Sequence, residues 1–311
     1  MNKKATLCTL FEGHYHYGVA ALANSLVAAG FEGDLCVGYR GPLADWITRH
    51  ADYSAATAQL RVGERLRLRF IHLDTQVFFT YYKAAFMRQV LDVHSPDADV
   101  VAYIDPDIVL KCGWADIAAW FDGGIALVED VNWNLPSRHP KRLMWRDWFA
   151  GHGAVQRREL DRYYNAGFIG VPREHADFLT LLGWMCDLVL SYNAGLKHIK
   201  SGNAPDIFHS TDQDALNFAL SAHEAPLNTA GSEAMDFASG GYYFSHAIGS
   251  PKPWLGGHLR SALRGLPPSS ATKAYYRFAN QPLQLYPHWH LVLRRLSLSL
   301  ASAIGRVYRK S

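Results

Sequence analysis

Short runs that are apolar or alternate apolar with polar stand at 5–11 (ATLCTLF), 33–41 (GDLCVGYRG), 66–74 (LRLRFIHLD), 100–104 (VVAYI), 123–131 (GGIALVEDV) and 163–173 (YYNAGFIGVPR). Runs of this length and composition predict strands. Between them lie segments with helical spacing: 18–30 (GVAALANSLVAAG, stopping at Gly30), 80–93 (TYYKAAFMRQVLDV), 176–195 (ADFLTLLGWMCDLVLSYNAG) and 210–222 (STDQDALNFALSA). In the last of these, Ser210 or Thr211 is placed to cap the helix. Strands alternating with helices predict an α/β fold, a mostly parallel sheet with helices on both faces. Such sheets bind ligands at the carboxyl ends of their strands.

The length of 311 residues suits one large α/β domain, alone or with an appendage. The four cysteines, Cys8, Cys36, Cys112 and Cys186, are scattered without a CxxC spacing. They read as small buried hydrophobes of a cytoplasmic protein, not as a disulfide framework or zinc site. Lys3 and Lys4 precede only a short apolar run, so 5–11 reads as a first strand and not a signal segment. No apolar run approaches the roughly 18 residues of a membrane span. The net charge of +3 hides an asymmetry, because residues 237–311 hold ten Lys/Arg and no acid. The preceding 236 residues carry the other 21 Lys/Arg against all 28 acids, a net of −7. A basic C-terminal end on a slightly acidic body points to an anionic partner.

The strand at 100–104 runs straight into Asp105, Pro106 and Asp107, after which Ile108, Val109 and Leu110 are apolar again. Two carboxylates this close to a core strand repel each other and are costly to bury. A divalent cation would neutralise them, and oxygen ligands suit Mg²⁺, Mn²⁺ or Ca²⁺. A turn carrying two solvated acids is the simpler reading of DxD alone. Further along, "FSHAIGSPKPW" (244–254) offers His246 as a nitrogen ligand, Gly249 for close backbone approach to a phosphate, and Lys252 as a point charge for it. Neither GxGxxG after the first strand nor GxxxxGK[ST] is present, which disfavours a dinucleotide fold of that type and a P-loop NTPase.

These segments resemble, in order, the motifs of the GT-A (Rossmann-like) glycosyltransferases of glycosyltransferase family 8, which contains glycogenin and bacterial lipopolysaccharide galactosyl- and glucosyltransferases. The resemblance runs over about 5–255 and is carried by "TLFEGHYHYG", "YYKAAF", "YIDPDIVL", "YYNAGFIGV", "TDQDALN" and "HAIGSPKPW". It implies a catalytic domain at 1–257 and a basic, aromatic C-terminal segment at 258–311. It implies that Asp105, Asp107 and His246 hold Mn²⁺, with Mg²⁺ as the alternative, and that Lys252 and Gly249 contact the diphosphate of a UDP-sugar donor. Lys83 would reach the donor, Thr9 and one of Tyr15 or Tyr17 would cradle the uracil, and Asn165, Asp212 and Gln213 would line the sugar.

The same family is retaining. Gln213 matches the residue placed near the lower face of the sugar, and an amide is a poor nucleophile, so front-face attack is favoured, with Asp130, Asp212 or Asp214 shaping the site. The alternatives are an inverting GT-A transferase with one of those aspartates as base, and a carbohydrate-binding pseudoenzyme. No RNP, KH or helix-turn-helix signature supports nucleic-acid binding. Two features depart from the pattern. His14 and His16 in "GHYHYG" stand where small or polar residues are expected, and read as outer or solvent-facing residues, not metal ligands. The stretch 132–161 matches no motif; it is long, basic and aromatic, and reads as an acceptor-side insertion with Trp133, Trp145 and Trp148 for sugar stacking. The acceptor is expected to be a glycan or lipid-linked glycan. The segment 290–310, apolar with basic ends, is either a helix packed on the domain or a peripheral anchor on an anionic membrane surface, which would place the enzyme on the inner face of the plasma membrane.

Overall fold

The computed structural model describes residues 3–131, 134–192, 206–238 and 240–308. The described strands are β1 (Ala5–Glu12), β2 (Gly33–Arg40), β3 (Tyr53–Ser54), β4 (Gln59–Val62), β5 (Leu66–His72), β6 (Val100–Ile104), β7 (Ile108–Leu110), β8 (Ile125–Glu129), β9 (Tyr164–Pro172), β10 (Leu227–Ala230) and β11 (Phe244–His246). The described helices are α1 (His16–Ala28), α2 (Asp45–Thr48), α3 (Phe79–Gln89), α4 (Trp114–Trp120), α5 (Pro140–Ala150), α6 (Asp177–Tyr192), α7 (Thr211–Ala222), α8 (His258–Leu263), α9 (Ser270–Phe278) and α10 (His288–Val307). Every strand and helix read from the sequence is present within a few residues; the end of the helix read at 176–195 lies outside the described residues. The chain forms two compact units. The first comprises Met1–Leu10, Leu73–Ile104 and Ile117–Glu233, and the second Phe11–His72, Asp105–Asp116 and Ala234–Ser311.

In the first unit the strands run in the order β10-β8-β9-β6-β1. β1 is parallel to β6, and β10 is parallel to β8. β9 lies antiparallel between β6 and β8. All five residues of β6 and all nine of β9 are buried, as expected for strands covered on both faces. α3, α6 and α7 pack on one another, α3 also meets β6 and α7 meets β9. Every residue of α7 is buried, including Thr211, Asp212, Gln213, Asp214 and Asn217, so its polar groups must find partners inside the protein.

The stretch 132–161 contains a helix, α5, whose first residue is Pro140, where the missing N–H costs nothing. Arg142 is buried beneath it and donates to the carbonyls of Leu135 and Arg162 at 2.6 Å each. Trp145 is 1% exposed and donates to the Ile207 carbonyl at 2.9 Å, and Phe149 stacks on Phe218 of α7. Trp145 is thus a core anchor and has no face for a sugar, contrary to the expectation. Trp148 keeps partial exposure and lies against His152. Trp133 lies outside the described residues.

In the second unit the order is β2-β5-β4-β3, with β2 and β5 parallel and the β4 pairings antiparallel. A separate two-stranded ribbon joins β7 to β11. The C-terminal residues pack here: Trp254, Tyr275, Tyr276, Tyr286, Leu291 and Leu298 share a core with Ala21 and Val109. Buried Asn24 of α1 fastens the segment, donating to the carbonyls of Phe278 and Leu283 and accepting from the Leu283 N–H. α10 is therefore packed on the protein along one side. Its other side leaves Trp289, Leu293, Leu296 and Leu300 more than half exposed. Among the described residues no helix is long and apolar enough to cross a membrane.

Candidate active site

Asp105 follows β6 directly and Asp107 precedes β7, so the turn between them is set by two strands. His246 closes β11 opposite Ile108. The Ala247 N–H donates to the Asp107 carbonyl and the Ile108 N–H to that of Asp105. The ribbon thereby brings His246 Nε2 to 3.4 Å from Asp107 Oδ1 and 3.8 Å from Asp105 Oδ2. One ligand atom from each of the three residues lies within 4.8 Å of the others. Lys252 Nζ donates to Asp107 Oδ2 at 2.5 Å and to the Ala247 carbonyl at 2.7 Å, and stands 5.8 Å from the centre of the Tyr15 ring. Burial disfavours the charged form of Asp107, but the charges and hydrogen bonds of His246 and Lys252 outweigh it and hold the carboxyl well below the usual range. Burial would likewise neutralise Lys252; the Asp107 carboxylate reverses this and raises its pKa. Two carboxylates and an imidazole in this geometry fit a divalent cation. His246 Nδ1 is buried without a hydrogen-bond partner among the described residues.

Residues around the turn fix its position. Gly18 of α1 faces Pro106, and a Cβ there would stand 2.1 Å from the Pro106 carbonyl oxygen. Trp254 donates its indole N–H to His14 Nδ1 at 2.7 Å, and Trp46 does the same to His16 Nδ1 at 3.0 Å. Burial, with a small push from His14, lowers the His16 pKa to about 4. Both histidines are thus held by indoles and neither joins the Asp105, Asp107 and His246 group. Tyr15 meets Trp254 edge to face, and Tyr17 stacks on Tyr286 at 5.7 Å. Gly249 has a positive φ of 78° with open space around its missing Cβ.

In the first unit a second polar cluster surrounds the start of β9. The β8–β9 register shifts between Leu127 and Glu129, and Asn165 follows Tyr164, the partner of Glu129. Asn165 donates to Asp130 Oδ2 at 2.8 Å and accepts from the Gly167 N–H. Gln213 accepts from the Ala166 N–H at 3.1 Å. Lys83, 6% exposed, donates to the Ala166 carbonyl, lies 3.5 Å from Asp212 and rests 5.0 Å from the Tyr103 ring centre. The structure therefore gathers Lys83, Asp130, Asn165, Asp212 and Gln213 around one bend of chain. Asp214 is differently employed. It accepts from Tyr163 Oη at 2.5 Å and from the N–H groups of His209 and Ser210, so it closes the first turn of α7. Ser210 occupies the cap position, but its side chain makes no capping bond. Burial pushes the Asp214 carboxyl up to about 7, against its three hydrogen bonds. Thr9 is fully buried in β1 with no partner for its hydroxyl among the described residues.

Tyr163 and Asn217 were not singled out from the sequence. Asn217 clamps the Tyr164 backbone through both its oxygen and its nitrogen, at 2.8 Å each. It stands one helical turn after Gln213, in the quoted TDQDALN, and that spacing was its only signal.

No protein-family model and no curated protein sequence matches this chain. Solved structures do match in fold. The apo bifunctional glycosyltransferase WbbM aligns over 94% of this chain at 14% identity with a TM-score of 0.55, and this chain spans about half (52%) of that one. An active-site mutant of LgtC aligns over 91% of this chain and 98% of its own, at 19% identity and a TM-score of 0.54. The galactosyltransferase LgtC in complex with donor and acceptor sugar analogues aligns over the same shares, at 17% identity and a TM-score of 0.53. This chain has the GT-A-like α/β fold of these glycosyltransferases.

Proposed function

We propose that this protein is a retaining glycosyltransferase that moves a hexose from a UDP-sugar to a glycan or lipid-linked glycan. The observation that carries the reading is the grouping of Asp105, Asp107 and His246 with Lys252. Asp105, Asp107 and His246 would hold Mn²⁺ or Mg²⁺. When bound, the cation supplies electrostatic stabilisation of the diphosphate leaving group. Lys252 and the open backbone at Gly249 serve that same diphosphate, and Tyr15 or Tyr17 serves the uracil. In the first unit, Lys83 and Asp212 neutralise each other and can orient sugar hydroxyls together with Asn165. The Gln213 oxygen is already committed to the Ala166 N–H, which favours a positioning role over a nucleophilic one and so supports front-face attack. The occupied oxygens of Asp214 argue against it as the base of an inverting reaction.

The segment 132–161 would face the acceptor, with Trp148 as the stacking surface. α8, the residues just after it and α10 expose Leu263, Leu266, Trp289, Leu293, Leu296 and Leu300 together with Arg260, Arg264, Arg295 and Arg306. That combination suits an anionic membrane surface, where each cation contributes about 1 kcal/mol.

The reading is tested by incubating the protein with a panel of UDP-sugars and Mn²⁺. Release of UDP from one or two sugars, with an α-configured product from an α-configured donor, is expected. No UDP release from any of them, with and without glycan acceptors, would sink the proposal; a β-configured product would leave the activity and reverse its stereochemistry.

A further inference from the structure

His246 presents a puzzle. A metal-ligating histidine ordinarily donates its second ring nitrogen to an acceptor that fixes the plane of the ring. Here Nε2 faces the two aspartates, while buried Nδ1 has no such acceptor among the described residues. The ring's support must come from elsewhere. Among the described residues its strand, β11, is three residues long and pairs with the three residues of β7 alone. The ribbon packs on α1 and α9, but its two strands share only three residue pairs.

Asp236 stands where such support is needed. It is one of two described non-glycine residues with positive φ, at 61°. Asp and Asn tolerate this left-handed conformation best among side-chain-bearing residues, but it is still unfavourable and persists only when neighbouring contacts hold it. Among the described residues two contacts hold it. Asp236 Oδ1 takes a 2.5 Å bond from Lys111 Nζ, in the residue directly after β7. Its Oδ2 takes a 2.5 Å bond from Ser245 Oγ, in the residue directly before His246. Lys111 also binds the chain ahead of β11, through Nζ to the Gly241 carbonyl and through its N–H to that of Tyr243. The next residue, Phe237, lays its ring 5.7 Å from the His246 imidazole at an interplanar angle of 35°.

We infer that Asp236 is the positioning residue of His246: it clips β7 to β11 and sets Phe237 against the imidazole, in place of a direct acceptor on Nδ1. The left-handed backbone turns the carboxylate back between the two strands. The inference rests on reading Asp105, Asp107 and His246 as a cation site.

The test is Mn²⁺ binding to the full chain by titration and electron paramagnetic resonance, including the nitrogen modulation from a bound imidazole. Asp236→Ala should weaken Mn²⁺ about tenfold or more, the scale seen when outer partners of metal ligands are removed. Asp236→Gly accepts a φ of 61° without strain yet has no clip, so it should lose affinity and imidazole modulation as Asp236→Ala does. Asp236→Asn keeps the backbone preference and an acceptor for Ser245, and should stay closest to wild type. In the His246→Ala background, replacing Asp236 should cost little more. Wild-type affinity in Asp236→Gly overturns the inference, and so does an undiminished loss on top of His246→Ala. If His246→Ala itself binds Mn²⁺ as wild type does, the cation reading fails first, and is recognised by that single variant.

Discussion

Gly18→Ala would build a Cβ 2.1 Å from the Pro106 carbonyl oxygen and 3.0 Å from the Trp254 ring. Contact becomes ordinary only near 3.4 Å, so the helix and the turn between Asp105 and Asp107 must separate by about 1.3 Å. α1 is poorly placed to yield. Leu22 and Leu26 are fully buried, and Asn24 is held by three hydrogen bonds to the C-terminal segment. The displacement then falls on the turn, and a cation site tolerates only about 0.2 Å in ligand distance. Overpacking of this kind costs about 1–3 kcal/mol, which corresponds to roughly 5- to 150-fold in Mn²⁺ affinity if it is borne by the cation-bound state. Alanine's better helix propensity returns about 0.5–1 kcal/mol to the fold. Thermal stability should therefore change less than cation affinity does. Isothermal titration with Mn²⁺ alongside a thermal melt separates the two. Cation affinity within twofold of wild type would refute the reasoning and show that α1, not the turn, gives way.

Lys252→Met should raise Mn²⁺ affinity in the absence of nucleotide, because Nζ occupies Asp107 Oδ2 at 2.5 Å, and should weaken UDP binding; titrations of each ligand alone read both signs. The Asp214 carboxyl lies raised to about 7, so its contribution to stability is fully present below about 3.8 and is lost as pH rises through about 7. Melting wild type and Asp214→Asn across that window should show wild type losing stability relative to the variant as pH rises, and parallel curves would contradict the burial argument. Trp145→Ala should destabilise the fold by about 3–5 kcal/mol in denaturant unfolding, as for other buried large aromatics. Trp148→Ala should instead raise the KM for acceptor and leave donor hydrolysis unchanged; equal effects on both would remove it from the acceptor side.

The parts of the site that were legible in the sequence are those dictated by local chemistry. Five buried apolar residues followed by Asp105 and Asp107 mark a strand end whose charge needs an explanation, and the spacing from His246 to Lys252 marks its partner. What was not legible depends on distant partners. Within 132–161, which reads from sequence as an acceptor-side loop insertion, α5 is not legible because its anchors, Arg142 and Trp145, look like surface residues until the carbonyls of Leu135, Arg162 and Ile207 are in place. Ser210 or Thr211 reads from sequence as the cap of α7, but Asp214 inside the helix takes the N–H groups of His209 and Ser210 instead. The three-residue strands β7 and β11 carry no periodicity of their own, and Asp236 shows its role only through Lys111 and Ser245. The C-terminal helix is apolar on more than one face, so sequence alone did not assign Leu291 and Leu298 to the core and Leu293 and Leu296 to the surface.

The central claim is that Asp105, Asp107 and His246 form a cation site for a nucleoside diphosphate. The most direct measurement is Mn²⁺ titration in the presence of UDP, on wild type and on Asp107→Ala, with folding checked by circular dichroism. One Mn²⁺ should bind per wild-type chain, more tightly with UDP than without, and the folded variant should show no specific Mn²⁺ binding. Wild-type Mn²⁺ binding by Asp107→Ala, or a wild-type protein indifferent to Mn²⁺ and UDP together, would contradict it.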